Sequence, residues 1–197
     1  MKLTSRMRRG VAGLAIAASA ITLPAVALAS TGSPARGTAA RAAVASTTAA
    51  SRCVTSRLTG WLGIPGSGAA GSTYYQLEIS NVSGSSCTLY GFPGVSAHGP
   101  GGGQLGSAAG RLGGYHERLV TLAPGQTAHA VLQITDVGNF SPSACHPATA
   151  DFLRVFPPAT YTALTVPFSF RACGRSGPVY LHVGPVEAGT GIPGYSN

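Results

Sequence analysis

Four cysteines, five histidines and one glycine-rich run are the residues here whose types could carry chemistry. The cysteines are Cys53, Cys87, Cys145 and Cys173. None lies in C-x-x-C, the spacing that a zinc site or a thioredoxin-like pair would use. Four cysteines allow three pairings. Cys53 with Cys87, and Cys145 with Cys173, is the favoured set. Each bridge is then local in sequence and pins an irregular connection to a strand. The histidines are His98, His116, His129, His146 and His182, with no two at i, i+2 or i, i+4. A metal site needs several ligands to converge, and both methionines, Met1 and Met7, precede residue 30. Thioether ligands for copper are therefore missing from the rest of the chain. Neither a metal nor another cofactor is expected.

Hydrolysis would need a nucleophile, a base and a group that orients the base. G-x-S-x-G is absent, and Gly174-Arg175-Ser176-Gly177 is not that motif. After the leader the carboxylates are Glu78, Glu117, Asp136, Asp151 and Glu187, too scattered to signal a glycosidase pair. No catalytic residue is assigned. Gly99, Pro100, Gly101, Gly102, Gly103 and Gln104 form the candidate binding loop, because glycine lets backbone approach a partner closely. The run lacks the Lys-Ser/Thr ending of a phosphate-binding P-loop. It reads as a mobile hairpin loop. Trp61, Tyr74, Tyr90, Tyr115 and Tyr161 could line a ligand platform, although packing is the commoner use of such residues. Asn81-Val82-Ser83 fits a glycosylation acceptor and is read as a chance match.

The elements that must position these residues follow a basic leader. Lys2, Arg6, Arg8 and Arg9 precede an apolar stretch over 11–20, and Ala27-Leu28-Ala29 is a signal-peptidase site. Residues 1–29 are thus expected to be a signal peptide, exporting the chain by the general secretion route. Arg8-Arg9 between Met7 and Gly10 is only a weak twin-arginine match. The apolar run is too short to span a bilayer, so the mature chain is expected to have no transmembrane segment. Export brings the cysteines into an oxidising compartment.

Residues 30–52 are rich in Ala, Ser and Thr and read as a flexible linker. Residues 53–188 read as the folded domain and 189–197 as a C-terminal tail. The formal charge of +8 overstates the domain's basicity. From Cys53 onward six arginines face five acids. A nucleic-acid binder would carry a basic stripe on the folded domain, so no nucleic-acid partner is expected.

From Cys53 the apolar period is two, not 3.6. Over residues 73–80, Tyr75, Leu77 and Ile79 share one face, while Tyr74, Gln76 and Glu78 share the other. Short strands are expected at 87–90, 95–97, 152–156, 161–166 and 179–183. A hairpin is expected from 119–122 through Pro124-Gly125 to 126–135. Pro157, Pro158 and Pro167 are expected at strand ends. The pattern predicts an all-β, immunoglobulin-like β-sandwich of roughly seven to nine short antiparallel strands with two disulfides. Tyr75, Leu77, Ile79, Leu132, Ile134, Leu153 and Val155 are its expected core.

Particular residues carry a family resemblance. They are Cys53 and Leu58, then Gly68-Ala69-Ala70-Gly71-Ser72-Thr73-Tyr74-Tyr75, Asn81 and Cys87-Thr88-Leu89-Tyr90-Gly91-Phe92-Pro93-Gly94-Val95. They continue through Leu122-Ala123-Pro124-Gly125-Gln126-Thr127-Ala128 and Cys145 to Leu153-Arg154-Val155-Phe156-Pro157-Pro158 and Cys173. The chain resembles the actinobacterial secreted family called domain of unknown function 4232, over about residues 53–186. The resemblance implies an exported or envelope domain behind a low-complexity spacer and transfers no functional residue. Many relatives are lipoproteins; this chain lacks a cysteine at the cleavage site and departs from them there.

The functional expectation is an exported, non-catalytic binding or structural module of the cell envelope or extracellular medium. Its partner would be a protein or a cell-wall ligand. The alternative is a secreted hydrolase, or an inhibitor of one, without a recognisable motif.

Overall fold

The computed structural model describes residues 49–63 and 67–191. The expected leader, most of the expected linker and residues 192–197 lie outside the described residues. Among the described residues fourteen strands follow in chain order. They are β1 (Ser51–Arg52), β2 (Leu58–Leu62), β3 (Ser67–Ala69), β4 (Ser72–Asn81), β5 (Cys87–Tyr90), β6 (Gly94–His98) and β7 (Gln104–Leu105). Then come β8 (Gly110–Arg111), β9 (Leu119–Leu122), β10 (Thr127–Thr135), β11 (Pro147–Phe156), β12 (Leu164–Cys173), β13 (Leu181–Val183) and β14 (Glu187–Ala188). Eight of them have four residues or more, and six are shorter. Among the described residues the one α-helix, α1, is the single turn Pro142–Cys145. No helix among the described residues is long and apolar enough to cross a membrane.

The strands form three hydrogen-bonded sheets rather than the two expected. The first runs β1-β5-β9. The second runs β2-β4-β10-β13-β8, with β3 added to β4 and β14 to β10. The third runs β12-β11-β6-β7. Pairing is antiparallel except at β1–β5 and β13–β8, which are parallel. The all-β class holds, and the purely antiparallel expectation is corrected at those two pairs. Ser51 and Arg52, assigned from composition to the linker, form β1 and already belong to the folded unit.

The second sheet is organised by β4 and β10, in continuous register from Thr127 opposite Ser80 to Thr135 opposite Ser72. Alternation puts Leu77 and Ile79 of β4 on the core face with Ala128, Ala130, Leu132 and Ile134 of β10, all buried. Leu153 and Val155 of β11 join the same core, as do Val95 and Ala97 of β6. Tyr75, expected in the core, is only half-buried; its ring packs edge-on against Phe168 at 5.0 Å. The small residues of β10 matter because they let the neighbouring sheets close over this strand.

The expected hairpin through Pro124-Gly125 does not form. The turn is there, with Gln126 N–H donating to the Ala123 carbonyl and Gly125 at φ +77°. It carries the chain from one sheet to another, because β9 pairs with β5 and β10 with β4. The expected strand at 161–166 begins at Leu164, and Tyr161 is fully exposed in the preceding turn. Pro167 lies within β12, not at its end. This is an edge strand, and Pro167 stands opposite Phe152, where a register shift already interrupts the ladder. A missing N–H costs little there. The last expected strand is shorter than predicted, covering Leu181–Val183.

Both favoured disulfides are present: Cys53–Cys87 and Cys145–Cys173. They close segments with sequence separations of 34 and 28. In the chain-entropy model each such bridge contributes about 3–4 kcal/mol by restricting the unfolded chain. The first ties β1 to β5, and the second ties α1 to the end of β12.

Candidate functional site

The glycine-rich run makes a hydrogen-bonded turn between β6 and β7. Gly99 N–H donates to the Gly103 carbonyl, and Gly102 N–H to the Gly99 carbonyl. The His98 ring braces it from below, with Nδ1 2.9 Å from the Gly102 carbonyl and the ring stacked on Phe152. Pro100, Gly101, Gly102, Gly103 and Gln104 are all exposed, and no atom approaches the open sides of Gly101, Gly102 or Gly103. The run is therefore an outward hairpin loop between antiparallel β6 and β7, braced by His98.

His98 also places Nε2 3.0 Å from Ser96 Oγ. With Nδ1–H donating to Gly102, Nε2 accepts from the serine hydroxyl. The group orienting this imidazole is a backbone carbonyl, not a carboxylate, and both side chains are buried. The pair braces the turn.

A second histidine lies beside a carboxylate that no sequence spacing pointed to. His129 on β10 stands directly opposite Glu78 on β4, and Glu187 of β14 stands opposite it on the other side. Glu78 is 3% exposed and His129 4%. The C-terminal segment straps this pair: His129 Nδ1 lies 2.9 Å from the Gly189 carbonyl, and Gly191 N–H donates to Glu78 Oε1. Among the described residues Glu78 Oε2 and His129 Nε2 have no hydrogen-bond partner, nor does His182 Nδ1, on the neighbouring β13. Among the described residues no three His, Cys, Asp or Glu side chains are grouped to hold a metal ion.

Burial raises the Glu78 pKa above its ordinary value of 4.5, against smaller opposing effects of the Gly191 N–H and His129. A carboxyl with a raised folded pKa favours the folded state while protonated. Its contribution is lost as pH rises from about 4.5 through the folded value. Glu78→Gln should therefore raise the thermal midpoint at pH 7 by a few degrees, with the gain vanishing below about pH 4.5. Scanning calorimetry across that range checks it; a lower midpoint at neutral pH would show that the charge is used, not tolerated.

A cleft of about 530 Å³ lies where the β3–β4 turn meets the end of β10 and Phe170 of β12. Two of its polar groups are already committed. Asp136 caps the following 3-10 turn by accepting from Gly138 N–H at 2.8 Å, and Arg171 reaches Thr149.

The outward face of the first sheet is different. Alternation directs Leu89, Val120 and Leu122 inward, leaving Thr88, Tyr90, Leu119 and Thr121 outward. Tyr90 and Leu119 are cross-strand partners, 54% and 67% exposed. They border a cleft with Arg52 and Pro158, about 240 Å³. Arg52 also lines a second cleft of about 380 Å³ with Arg57, Ser83, Ser85 and Ser86. Leu119 also lines a third, about 390 Å³, with Tyr115, His116, Arg118 and Glu187. Arg52 lines both of the first two clefts and Leu119 both the first and the third, so the three adjoin as a groove of separate pockets along the β1-β5-β9 sheet.

The groove's cationic end is held from several sides. The Cys53–Cys87 bridge sets β1 beside β5, and Cys53 N–H donates to the Thr88 carbonyl. The 3-10 turn Thr55–Arg57 receives the next loop through Val82 N–H on the Arg57 carbonyl. Asn81 organises that loop: Oδ1 accepts from Ser83 N–H and Oγ–H, while Nδ2 donates to the Ser85 carbonyl. Asn81 is fully buried, so the chance reading of its glycosylation motif agrees with its structural use. Among the described residues Arg111–Glu117 is the one ion pair, so Arg52 and Arg57 face no carboxylate within salt-bridge reach.

Of the five candidate platform aromatics, only Tyr90 and Tyr115 line the groove. Arg52, Arg57, Ser83, Ser85 and Ser86 were not foreseen as a site. The available signal was an arginine on either side of Cys53 and a serine cluster before Cys87, the two cysteines paired by the favoured bridge. No curated protein and no solved structure matches the chain. The family model described as Domain of unknown function (DUF4232) matches residues 53–187, which include both bridges, Asn81 and every strand from β2 to β13. The chain belongs to that family.

Proposed function

We propose that this protein is an exported, non-catalytic binding module that works at the cell envelope or in the extracellular medium. The reading is carried by the groove on the first sheet, where Tyr90 and Leu119 stand exposed between two arginine-bearing clefts. Exposed apolar side chains in a contiguous groove mark contact surfaces. The leader and two disulfides support export. The Ser96–His98 pair is the one observation that favours a hydrolase, and its burial beneath the 99–103 turn weighs against substrate access. A cell-wall polymer or an envelope protein is the partner class that suits this reading.

Cosedimentation with purified, insoluble cell wall tests it. The oxidised protein should pellet with the wall. Tyr90→Ser with Leu119→Ser should raise the apparent dissociation constant for the wall by about tenfold, the loss of roughly 1.4 kcal/mol of contact. Replacing residues 99–104 by a two-residue turn should leave it unchanged. Loss on replacing the turn, with the groove variant unaffected, would move the contact surface to that turn. An unbound protein that hydrolyses wall esters or amides, with activity lost in Ser96→Ala, would replace the binding reading by the hydrolase one.

A further inference from the structure

We propose that the cleft formed by Arg52, Arg57, Ser83, Ser85 and Ser86 is an oxyanion subsite, and that the groove takes a phosphate-bearing glycan. The inference rests on the binding-module reading and adds the ligand's chemistry. Arg52 and Arg57 both line it, and no carboxylate is among the residues lining the cleft. Guanidinium presents a rigid fork of donors that matches phosphate oxygens, and it stays charged at every physiological pH. Ser85 and Ser86 add short hydroxyl donors around the same space, while the Ser83 hydroxyl is spent on Asn81 Oδ1. Together these donors exceed what the two oxygens of one carboxylate can accept, and they suit a tetrahedral anion.

The cleft is formed before any ligand arrives. The Cys53–Cys87 bridge, the Val82–Arg57 backbone bond and the buried Asn81 amide hold its three sides. Preorganised donors lose little freedom on binding, so more of their interaction appears as affinity.

Next along the groove comes an apolar step, Tyr90 and Leu119 beside Pro158. A phenol ring and a leucine side chain suit the C–H face of a sugar ring. Beyond Leu119 the groove becomes cationic again at Arg118, beside His116, with Glu187 as its single acid. Cation, apolar step, cation matches a chain in which anionic links alternate with sugar rings. The domain as a whole is nearly neutral, with six arginines against five acids from Cys53 onward. The attraction is therefore local to this groove and not a general polyanion field.

Isothermal titration of the oxidised full-length protein tests the proposal. The probes are a glucose-bearing poly(glycerol phosphate), dextran, dextran sulfate and a single-stranded oligo-dT. The phosphate polymer should bind, and dextran should not. Arg52→Gln with Arg57→Gln should weaken binding by at least about tenfold, since charge-assisted hydrogen bonds are lost. Ser85→Ala with Ser86→Ala should weaken it by about threefold, the smaller loss expected of neutral hydroxyl donors. Arg111→Gln, which removes an arginine paired with Glu117, should change affinity by less than about twofold. Near-ultraviolet circular dichroism checks that each variant keeps its fold. Equal or tighter binding of dextran sulfate or oligo-dT, or equal losses in the Arg111 and Arg52/Arg57 variants, would overturn the phosphate-glycan assignment. Cell wall that still pellets the protein while the phosphate polymer fails to bind would overturn only the ligand class. Failure of both would overturn the module reading as well.

Discussion

Gly106→Ala is expected to cost about 3–5 kcal/mol of folding stability, because two penalties fall on one atom. Gly106 has φ +66°, a left-handed conformation that costs any L side chain about 1–2 kcal/mol. A Cβ there would also lie 2.6 Å from the Cys173 carbonyl oxygen and 2.8 Å from Tyr180 Cε1. Neither neighbour can yield easily. Cys173 is bridged to Cys145, and Tyr180 is fully buried with its hydroxyl donating to the Leu105 carbonyl at 3.1 Å. Gly102 supplies the control. Its φ is +76°, but no atom lies within 4 Å of the added Cβ. Gly102→Ala should cost only the conformational term, about 1–2 kcal/mol. Guanidinium unfolding under non-reducing conditions measures both. Equal losses would mean that the packing around Tyr180 is looser than its burial implies.

Gly102 and Gly106 stand only four residues apart, and residue type alone does not show which of them is packed against a neighbour. A glycine signals permission for an unusual backbone, not what lies beside it. The same limit applies to larger elements. The alternation of β4 and β10 was legible because a half-buried strand repeats every two residues, and Leu77, Ile79, Leu132 and Ile134 fall where that period puts them. The disulfide pairing was legible because each bridge is local. The partner of β9 was not. Pro124-Gly125 announces a chain reversal, yet the strand that follows pairs with β4, some fifty residues earlier, instead of β9. Strand pairing is a choice among non-local partners, and turn chemistry biases only the local one.

The groove was hidden for a related reason. Arg52 sits at the end of an Ala/Ser/Thr-rich segment, so composition assigns it to a linker and its charge drops out of the domain's account. Parallel pairing of β1 with β5 returns it to the fold beside Arg57 and the serine turn. Likewise Glu78 and His129 become neighbours only through the β4–β10 register. Neither arrangement has a sequence period that could reveal it. Tyr90 was nominated with four other aromatics, because alternation cannot say which outward face is left uncovered.

Asn81→Ala should have the other large effect, and it should couple stability to the groove. The buried Asn81 amide donates to the Ser85 carbonyl at 2.8 Å and the Leu122 carbonyl at 3.0 Å. Its Oδ1 accepts from Ser83 N–H at 3.0 Å and Ser83 Oγ–H at 2.7 Å. One side chain thus joins the end of β4, the serine turn and the end of β9. Truncation leaves the Leu122 carbonyl buried without this donor and releases the turn, at a cost of about 3–5 kcal/mol. Ser83→Ala removes only one hydroxyl from the network and should cost about 1 kcal/mol. Asn81→Asp is the sharper variant, because it keeps Oδ1 but turns a second oxygen towards two carbonyls. It should be at least as destabilising as the alanine at pH 7. Burial and those carbonyls favour its protonated form, so part of the loss should return as pH falls and the carboxyl becomes a donor. Urea titrations at pH 7 and at acid pH separate the three variants. An alanine variant as stable as wild type would mean that the serine turn is held by its backbone alone, and that Arg52 and Arg57 face a pocket whose wall does not depend on Asn81.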